Sequence, residues 1–113
     1  MKIKLLCQNV LASPREIRIE QFPIEMGRGT TVGVRIDDRF LSRRHCELAI
    51  VDGQLHVRDL QSRHGTLVNG KSISEVALAP GDRLQIGLSH FIVQFDGPAP
   101  AVQDSAEMGL LAN

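Results

Sequence analysis

The sequence lacks the features that mark disulfide-rich, membrane or nucleic-acid-binding proteins. Its 113 residues include only two cysteines, too few for a disulfide framework, and neither has the spacing of a metal ligand. Thirteen basic and thirteen acidic residues cancel, so no overall positive charge favours nucleic acid or an anionic membrane. No stretch approaches the ~20 apolar residues of a membrane span. We therefore expect a cytoplasmic protein with neither kind of partner.

The composition that remains is typical of one folded domain. Apolar residues make up 42% of the chain and charged residues 23%, which is ordinary for a globular protein with a single hydrophobic core. From Gly97 the composition shifts to Pro, Ala, Gln, Asp and Ser, which is typical of a linker. We therefore predict a monomeric domain over residues 1–96 and a flexible C-terminal tail or linker over residues 97–113.

Short runs of alternating apolar and polar residues predict strands. The runs are Lys2–Leu6, Glu16–Glu20, Cys46–Val51, Gln54–Leu60, Arg83–Ile86 and Phe91–Phe95. Turn signals separate them at Ser13-Pro14, Asp52-Gly53, Asn69-Gly70 and Pro80-Gly81-Asp82. Asp52-Gly53 predicts a hairpin, because a type I′ turn needs positive φ at both central residues. Many short strands without a helical period indicate an all-β fold, a β-sandwich of two antiparallel sheets.

Four stretches between these runs combine arginine or hydroxyl side chains with turn residues. They are Gly27-Arg28, residues 41–48, residues 59–66 and Val68-Asn69-Gly70. Residues 28–71 hold eight basic and five acidic side chains, a local surplus of three positive charges. A phosphomonoester carries about −1.5 to −2 charge and three acceptor oxygens, which the arginine fork matches well. If these loops meet at one end of the sandwich, Arg28, Ser42 and Arg43 form a phosphate clamp.

In their order along the chain these motifs resemble the forkhead-associated (FHA) domain, a phosphothreonine-binding β-sandwich of signalling proteins, FHA/SMAD-like in fold. The matching motifs are Gly27-Arg28, Ser42-Arg43-Arg44-His45, Asp59-Leu60 with Ser62, Gly65-Thr66, Val68-Asn69-Gly70, and Pro80-Gly81-Asp82 with Ile86-Gly87. The resemblance implies recognition loops clustered at one end of the sandwich. It also implies a non-catalytic module without a cofactor, which binds phosphothreonine in a partner protein or in its own chain and so mediates phosphorylation-dependent interaction.

The resemblance further implies a division of roles. The expected phosphopeptide-binding residues are Arg28, Ser42, Arg43, Arg63, His64 and Asn69. Arg28 and Ser42 would contact the phosphate, with Arg43 assisting or contacting the peptide backbone. Asn69 would hold the peptide or its own loop. The expected structural support comes from Gly27, His45, Gly65, Thr66 and Gly70, with the His45 ring tying the loops together and Gly65 adopting a conformation closed to residues with a Cβ.

One position departs from the family pattern. Members often carry asparagine where His64 stands, and an imidazole differs from an amide in reach and titration. The resemblance therefore leaves open which residues are preferred C-terminal to the phosphothreonine. Arg63, next to His64, is expected to favour an acidic or polar residue there.

Three other interpretations compete with a phosphopeptide reader. The same sandwich would serve as a phosphate-independent interaction module if it bound through another face. Residues 65–72 fit the letter pattern of a nucleotide-binding P-loop, but a P-loop precedes a helix in a parallel sheet, and strand-like Leu67-Val68 interrupts the pattern. His45 and Cys46 suggest a Cys–His nucleophile, yet neighbouring strand residues point to opposite faces. We therefore expect no catalytic residue and no metal site.

Overall fold

The structure, a computed structural model, describes residues 1–8 and 15–96, which form eleven β-strands. The strands are β1 (Lys2–Cys7), β2 (Glu16–Ile19), β3 (Ile24–Gly27), β4 (Val34–Arg35), β5 (Cys46–Val51), β6 (Gln54–Asp59), β7 (Thr66–Val68), β8 (Lys71–Ile73), β9 (Glu75–Ala77), β10 (Arg83–Ile86) and β11 (Ser89–Asp96). All six predicted strands are present, whereas β3, β4, β7, β8 and β9 were not predicted. Among the described residues no helix is long and apolar enough to cross a membrane. The predicted turn at Ser13-Pro14 and the predicted tail lie outside the described residues.

The strands form two sheets, which confirms the predicted β-sandwich. One sheet has the order β2-β1-β11-β10-β7-β8 and the other β4-β3-β5-β6-β9. Neighbouring strands are antiparallel except β3 and β4, whose two paired positions run parallel. The parallel pair arises because the chain loops out after Gly27 and returns in the same direction at Val34. The second sheet is therefore mixed at its β4 edge.

The core lies between the sheets and follows the period-two pattern of the sequence. In β5, Cys46 and Leu48 are buried while Glu47 and Ala49 are half-buried on the opposite face. The other strands contribute in the same way, and the fully buried side chains include Leu5, Leu48, Val57, Leu84, Ile86 and Val93. Each such side chain contributes about 1.5–3 kcal/mol relative to an exposed one. The sandwich therefore provides a rigid base for its loops.

The structure contains the hairpin predicted at Asp52-Gly53 and a second hairpin at Asn69-Gly70, where the sequence predicted a turn; both turns are type I′-like. Asp52 and Gly53 have φ of 52° and 78° and join β5 to β6, and Asn69 and Gly70 have φ of 52° and 83° and join β7 to β8. Since β5 starts next to His45 and ends at Val51, the Asp52-Gly53 turn lies at the far end of the sandwich from His45. One end of the sandwich therefore carries the Asp52-Gly53 hairpin turn, and the other end, next to His45, carries longer loops.

Two leucines close together in sequence provide a test of the core. Leu84 is completely buried, whereas 60% of Leu88 is exposed. We expect Leu84→Ala to lower the free energy of unfolding by about 2–5 kcal/mol, because it removes buried methyl groups and leaves a cavity. Leu88→Ala, the matched control, should change it by less than about 0.5 kcal/mol. Urea unfolding of both variants measures the difference, and equal losses would contradict this assignment of the core.

Candidate functional site

Three loops meet at one end of the sheet that contains β3, β5 and β6. Met26 of β3 pairs with Cys46 of β5, and Cys46 pairs with Asp59 of β6. The loops after β3 (residues 28–33), before β5 (residues 36–45) and after β6 (residues 60–65) therefore start or end side by side. They carry all the predicted phosphopeptide-binding residues except Asn69.

The His45 side chain connects two of these loops from below. It is completely buried, and its Nδ1 accepts a hydrogen bond of 3.1 Å from the backbone N–H of Ser42. Its Nε2 lies 2.8 Å from the carbonyl oxygen of Gly65, which can only accept. The ring is therefore neutral with its proton on Nε2. It fixes the loop before β5 against the loop after β6.

The backbone of His45 adds the third loop to this contact. Its N–H donates to the carbonyl of Met26 at 2.8 Å, and its own carbonyl accepts from the N–H of Leu60 at 2.9 Å. One buried residue thus holds the start or end of all three loops.

Ser42 lies where two of the loops meet, and it keeps a free donor. Its Oγ accepts a hydrogen bond of 2.9 Å from the backbone N–H of Arg63. A hydroxyl that accepts from an amide directs its own proton away from that amide. No described group accepts the Ser42 O–H, which is therefore available to a ligand.

Arg28 is anchored beside Ser42 by the inner part of its side chain. Its backbone N–H donates to the Ser42 carbonyl at 3.2 Å, and its Nε donates to the Leu41 carbonyl at 2.7 Å. No described carboxylate forms an ion pair with it. The two terminal nitrogens of an exposed, pre-oriented guanidinium thus remain free for a ligand.

Gly27 and Gly29 allow the Arg28 loop to lie against the Arg43 backbone. A Cβ on Gly27 would overlap the Arg43 carbonyl oxygen, and one on Gly29 would come within 3.0 Å of the Arg43 Cβ. The N–H of Gly29 donates to the same Arg43 carbonyl at 3.2 Å. Glycine at position 27 is therefore required for the close approach of the two loops that carry Arg28 and Arg43.

Arg44, in contrast, is occupied by an ion pair. Its guanidinium makes two hydrogen bonds to the Glu25 carboxylate, of 2.8 and 2.6 Å. The hydrogen bond with Glu25, followed by the charge of that carboxylate, raises the pKa of Arg44, and the hydrogen bond from Arg44 lowers the pKa of Glu25. Although it belongs to the same sequence motif, Arg44 therefore lies outside the candidate site.

Asp59 supports the loop after β6, and the sequence indicated no role for it beyond its place in the family motif. Its carboxylate accepts from the Ser62 hydroxyl at 2.5 Å, the Ser62 N–H at 3.1 Å and the buried Thr66 hydroxyl at 2.7 Å. The Ser62 hydroxyl in turn accepts from the N–H of Gly65, whose φ is 85°. Burial alone would raise the pKa of Asp59, but the hydrogen bonds from Ser62 and Thr66 outweigh it and lower the pKa. Asp-x-x-Ser spacing is the sequence signal for such a turn.

Asp38 is a third support, and no sequence pattern predicted it. Only 9% of the residue is exposed, and its carboxylate accepts from Phe40 N–H at 2.9 Å, Leu88 N–H at 2.8 Å and Ser89 hydroxyl at 2.8 Å. A Cβ on Gly87, whose φ is 58°, would lie 2.8 Å from the Asp38 Oδ2. Asp38 thus joins the loop before β5 to the turn between β10 and β11 in the other sheet.

Asn69 and Gly70 lie apart from the other predicted site residues. β7 starts next to Gly65 and ends at Val68, so their turn is at the far end of that strand. The Asn69 Nδ2 donates to Asp82 at 3.1 Å, and its Oδ1 accepts from the Arg83 N–H at 3.0 Å. The described side-chain contacts of Asn69 are therefore with Asp82 and the start of β10, at a distance from the three loops.

The catalytic alternatives find no support in the described part of the chain. Cys46 is fully buried, and burial, followed by the charge of Asp59, raises the pKa of its thiol to about 12, which disfavours the thiolate needed for attack. Residues 65–72 contain β7, a hairpin turn and the start of β8, not the helix that a P-loop requires. Among the described residues no three His, Cys, Asp or Glu side chains cluster as metal ligands.

Comparison with known proteins identifies the family. The model of the FHA domain matches residues 24–87, which is more than half of the chain and includes all three loops. The chain belongs to the FHA domain family. The glycogen accumulation regulator GarA of Mycobacterium tuberculosis is 32% identical over 91 residues, which cover 80% of this chain and 56% of GarA. The match of this FHA chain thus spans little more than half the length of GarA.

Solved FHA domains share the fold of this FHA chain. A domain from a study of phosphothreonine-dependent FHA domain interactions is 30% identical, with a TM-score of 0.77 over 87% of this chain and 100% of the other. The FhaA FHA domain in complex with the intracellular domain of Rv3910 is 32% identical, with a TM-score of 0.73 over 81% of this chain and 99% of the other. These similarities confirm the all-β sandwich.

The contacts of Asp59 predict a pH-dependent contribution to stability. At neutral pH, Asp59→Asn should lower the free energy of unfolding by about 1–3 kcal/mol, because the variant replaces a charged acceptor of three hydrogen bonds. Folding lowers the pKa of Asp59 from its ordinary value of 3.8. Its contribution to the free energy of unfolding is therefore fully present above pH 3.8 and is lost as the pH falls through the lowered pKa of the folded protein. Urea unfolding at a series of pH values should show the difference between variant and wild type shrinking below that range. A difference that stays constant would contradict the lowered pKa.

Proposed function

We propose that this FHA domain binds phosphothreonine in a partner protein through the three loops that His45 holds together. The observation that carries the proposal is the pairing of two free donors. Arg28 and Ser42 are joined by a backbone hydrogen bond. No described carboxylate forms an ion pair with Arg28, and no described group accepts the hydroxyl proton of Ser42. An arginine fork with an adjacent hydroxyl suits the equatorial oxygens of a phosphomonoester.

The other loop residues complete the proposed site. Arg43, exposed beside Gly29, would add a second positive charge at the phosphate or bond the peptide backbone. Arg63 and His64, both exposed on the loop after β6, would contact residues C-terminal to the phosphothreonine. Gly27, His45, Gly65 and Thr66 support these loops from below. Asn69 and Gly70 are left out of the site because their turn lies at the far end of β7.

The wider role follows from this activity. We propose a non-catalytic module of cytoplasmic signalling, formed by residues 1–96, with residues 97–113 as its tail or linker. Two observations agree with a binding role: GarA is named a regulator, and the FhaA FHA domain was solved in complex with a partner domain. The phosphorylated threonine would belong to another protein or to a further part of this protein's own chain.

Calorimetric titration with paired peptides tests the proposal. We expect wild-type protein to bind a threonine-phosphorylated peptide from a phosphopeptide library and to ignore the same peptide without phosphate. Arg28→Ala should weaken phosphopeptide binding by roughly 30-fold or more, since losing one partner of a charged hydrogen-bonded pair costs ~2–5 kcal/mol. Arg83→Ala removes another exposed arginine, beside the Asn69 turn at the opposite end of the sandwich, and serves as the matched control.

Two outcomes of this titration would overturn the proposal. Equal binding of phosphorylated and unphosphorylated peptides would favour the phosphate-independent interaction module. Equal affinity in the wild type and in Arg28→Ala would show that the phosphate lies elsewhere. Because the Arg28 Nε also holds the Leu41 carbonyl, the fold of the variant is checked by its unfolding transition, and Arg28→Lys keeps the charge without the fork.

A further inference from the structure

The sandwich carries an apolar groove at the end opposite the three loops that His45 holds together. We call it the hairpin-end groove, because the Asp52-Gly53 turn borders it, and it has a volume of about 560 Å³. Its apolar lining includes Met1, Leu55, Ala77, Leu78, Pro80 and Phe95. Since Arg28 and Ser42 lie at the other end of the sandwich, the groove takes no part in the proposed function.

The groove lies where the inner faces of the two sheets are incompletely covered. In β5, Leu48 is completely buried, but Ile50, the next residue on the same face, is 38% exposed. Ile50 pairs with Leu55 of the groove lining. In β11, Val93 is completely buried, whereas Phe95, the next residue on its face, is only half-buried. Both sheets therefore expose apolar inner-face surface at this end.

Exposed apolar side chains are concentrated around the groove. In the part of the chain that the structure describes, the large apolar residues that remain exposed are Met1, Ile50, Val51 and Leu88. Three of these four belong to the hairpin end, since Met1 precedes β1 and the other two are the last residues of β5. Clustered apolar surface of this kind marks an interaction site, because its burial is favourable.

The chain leaves the described residues at the rim of this groove. β11 ends at Asp96, directly after Phe95 of the lining. Pro98 and Pro100 lack the N–H that a further ladder bond would need, which disfavours a longer β11. The residues that follow Asp96 therefore start next to the groove without extending the sheet.

An apolar segment follows in the same chain. Residues 108–112 hold Met108, Leu110 and Leu111, whereas residues 97–107 hold one large apolar side chain, Val102. A random chain of the length of residues 97–107 spans about 18 Å, enough to bring the apolar segment back to the groove. A segment tethered this closely has an effective concentration on the order of millimolar, which favours it over a second copy of the chain.

We propose that residues 108–112 bind the hairpin-end groove of their own molecule. Leu110 and Leu111 cover the exposed inner-face surface beside Phe95, and removal of this surface from water drives the contact. Met108 fills the remaining irregular space, for which a flexible unbranched side chain is suited. The contact completes the core at the hairpin end and leaves the opposite end open to a phosphopeptide.

NOE spectroscopy of the methyl groups and aromatic rings in the 113-residue protein tests this contact. In wild-type protein we expect cross-peaks from the methyl groups of Leu110 and Leu111 to the ring of Phe95. In Leu110→Asp the cross-peaks between Leu111 and Phe95 should be lost, because an ionised carboxylate is costly to bury in an apolar groove. Val102→Asp, the matched control, adds the same charge to the connecting residues and should keep them. A mixture of labelled and unlabelled protein separates contacts within one molecule from contacts between two.

The outcomes decide between this occupant and the others. Contacts within one molecule that Leu110→Asp removes and Val102→Asp keeps support the proposal. No cross-peak between residues 108–112 and the groove in wild-type protein would overturn it. Cross-peaks found only between labelled and unlabelled molecules would overturn it in favour of a second copy, and equal loss in both variants would show that the contact does not depend on Leu110. Phosphopeptide binding is measured separately, so its failure leaves this test unaffected.

Discussion

The loop end of this domain depends on the buried imidazole of His45. Its two ring nitrogens bond the Ser42 N–H and the Gly65 carbonyl, and its backbone bonds Met26 and Leu60, so one residue sets the spacing of three loops. A fully buried ring with both nitrogens paired has little freedom to rotate, and leaving either nitrogen unpaired would cost about 1–3 kcal/mol. Ser42 and Arg28 are therefore positioned before any ligand arrives, which reduces the entropy lost on binding.

Two carboxylates, the half-buried one of Asp59 and the buried one of Asp38, share this supporting role. Asp59 orders the loop after β6 through Ser62 and Thr66, and Asp38 joins the loop before β5 to the turn after β10. Both accept hydrogen bonds from backbone or hydroxyl groups and form no ion pair with an arginine in the described part of the chain. The acids thus shape the loops, while Arg28, Arg43 and Arg63, which form no ion pair with a described carboxylate, keep their charge for a ligand. A neutral chain acquires a basic recognition surface in this way.

The sequence predicted the strands that are long enough to show alternating apolar and polar residues, and it missed the shorter ones. Six strands of four or more residues showed alternation, whereas β4 and β7 to β9 have only two or three residues, too few to show a period, and β3 continues into the Gly27-Arg28 turn. The resemblance placed Arg28, Ser42 and His45 correctly at one end. It could not predict the contact of Asn69 with Asp82, because Asp82 precedes the neighbouring strand β10 and is distant in sequence. Asp38 was missed because its partners Leu88 and Ser89 are distant in sequence.

The most direct test of the central claim is nitrogen-15 NMR of the His45 ring in free protein and in protein bound to a threonine-phosphorylated peptide. The structure predicts an unprotonated Nδ1 and a protonated Nε2 in both states, with the Ser42 and Gly65 contacts preserved as the peptide binds. The amide signals of Arg28, Ser42 and Arg63 should shift on binding while the His45 ring signals stay close to their free values. An imidazolium, the opposite tautomer, or a ring that changes state on binding would contradict the account.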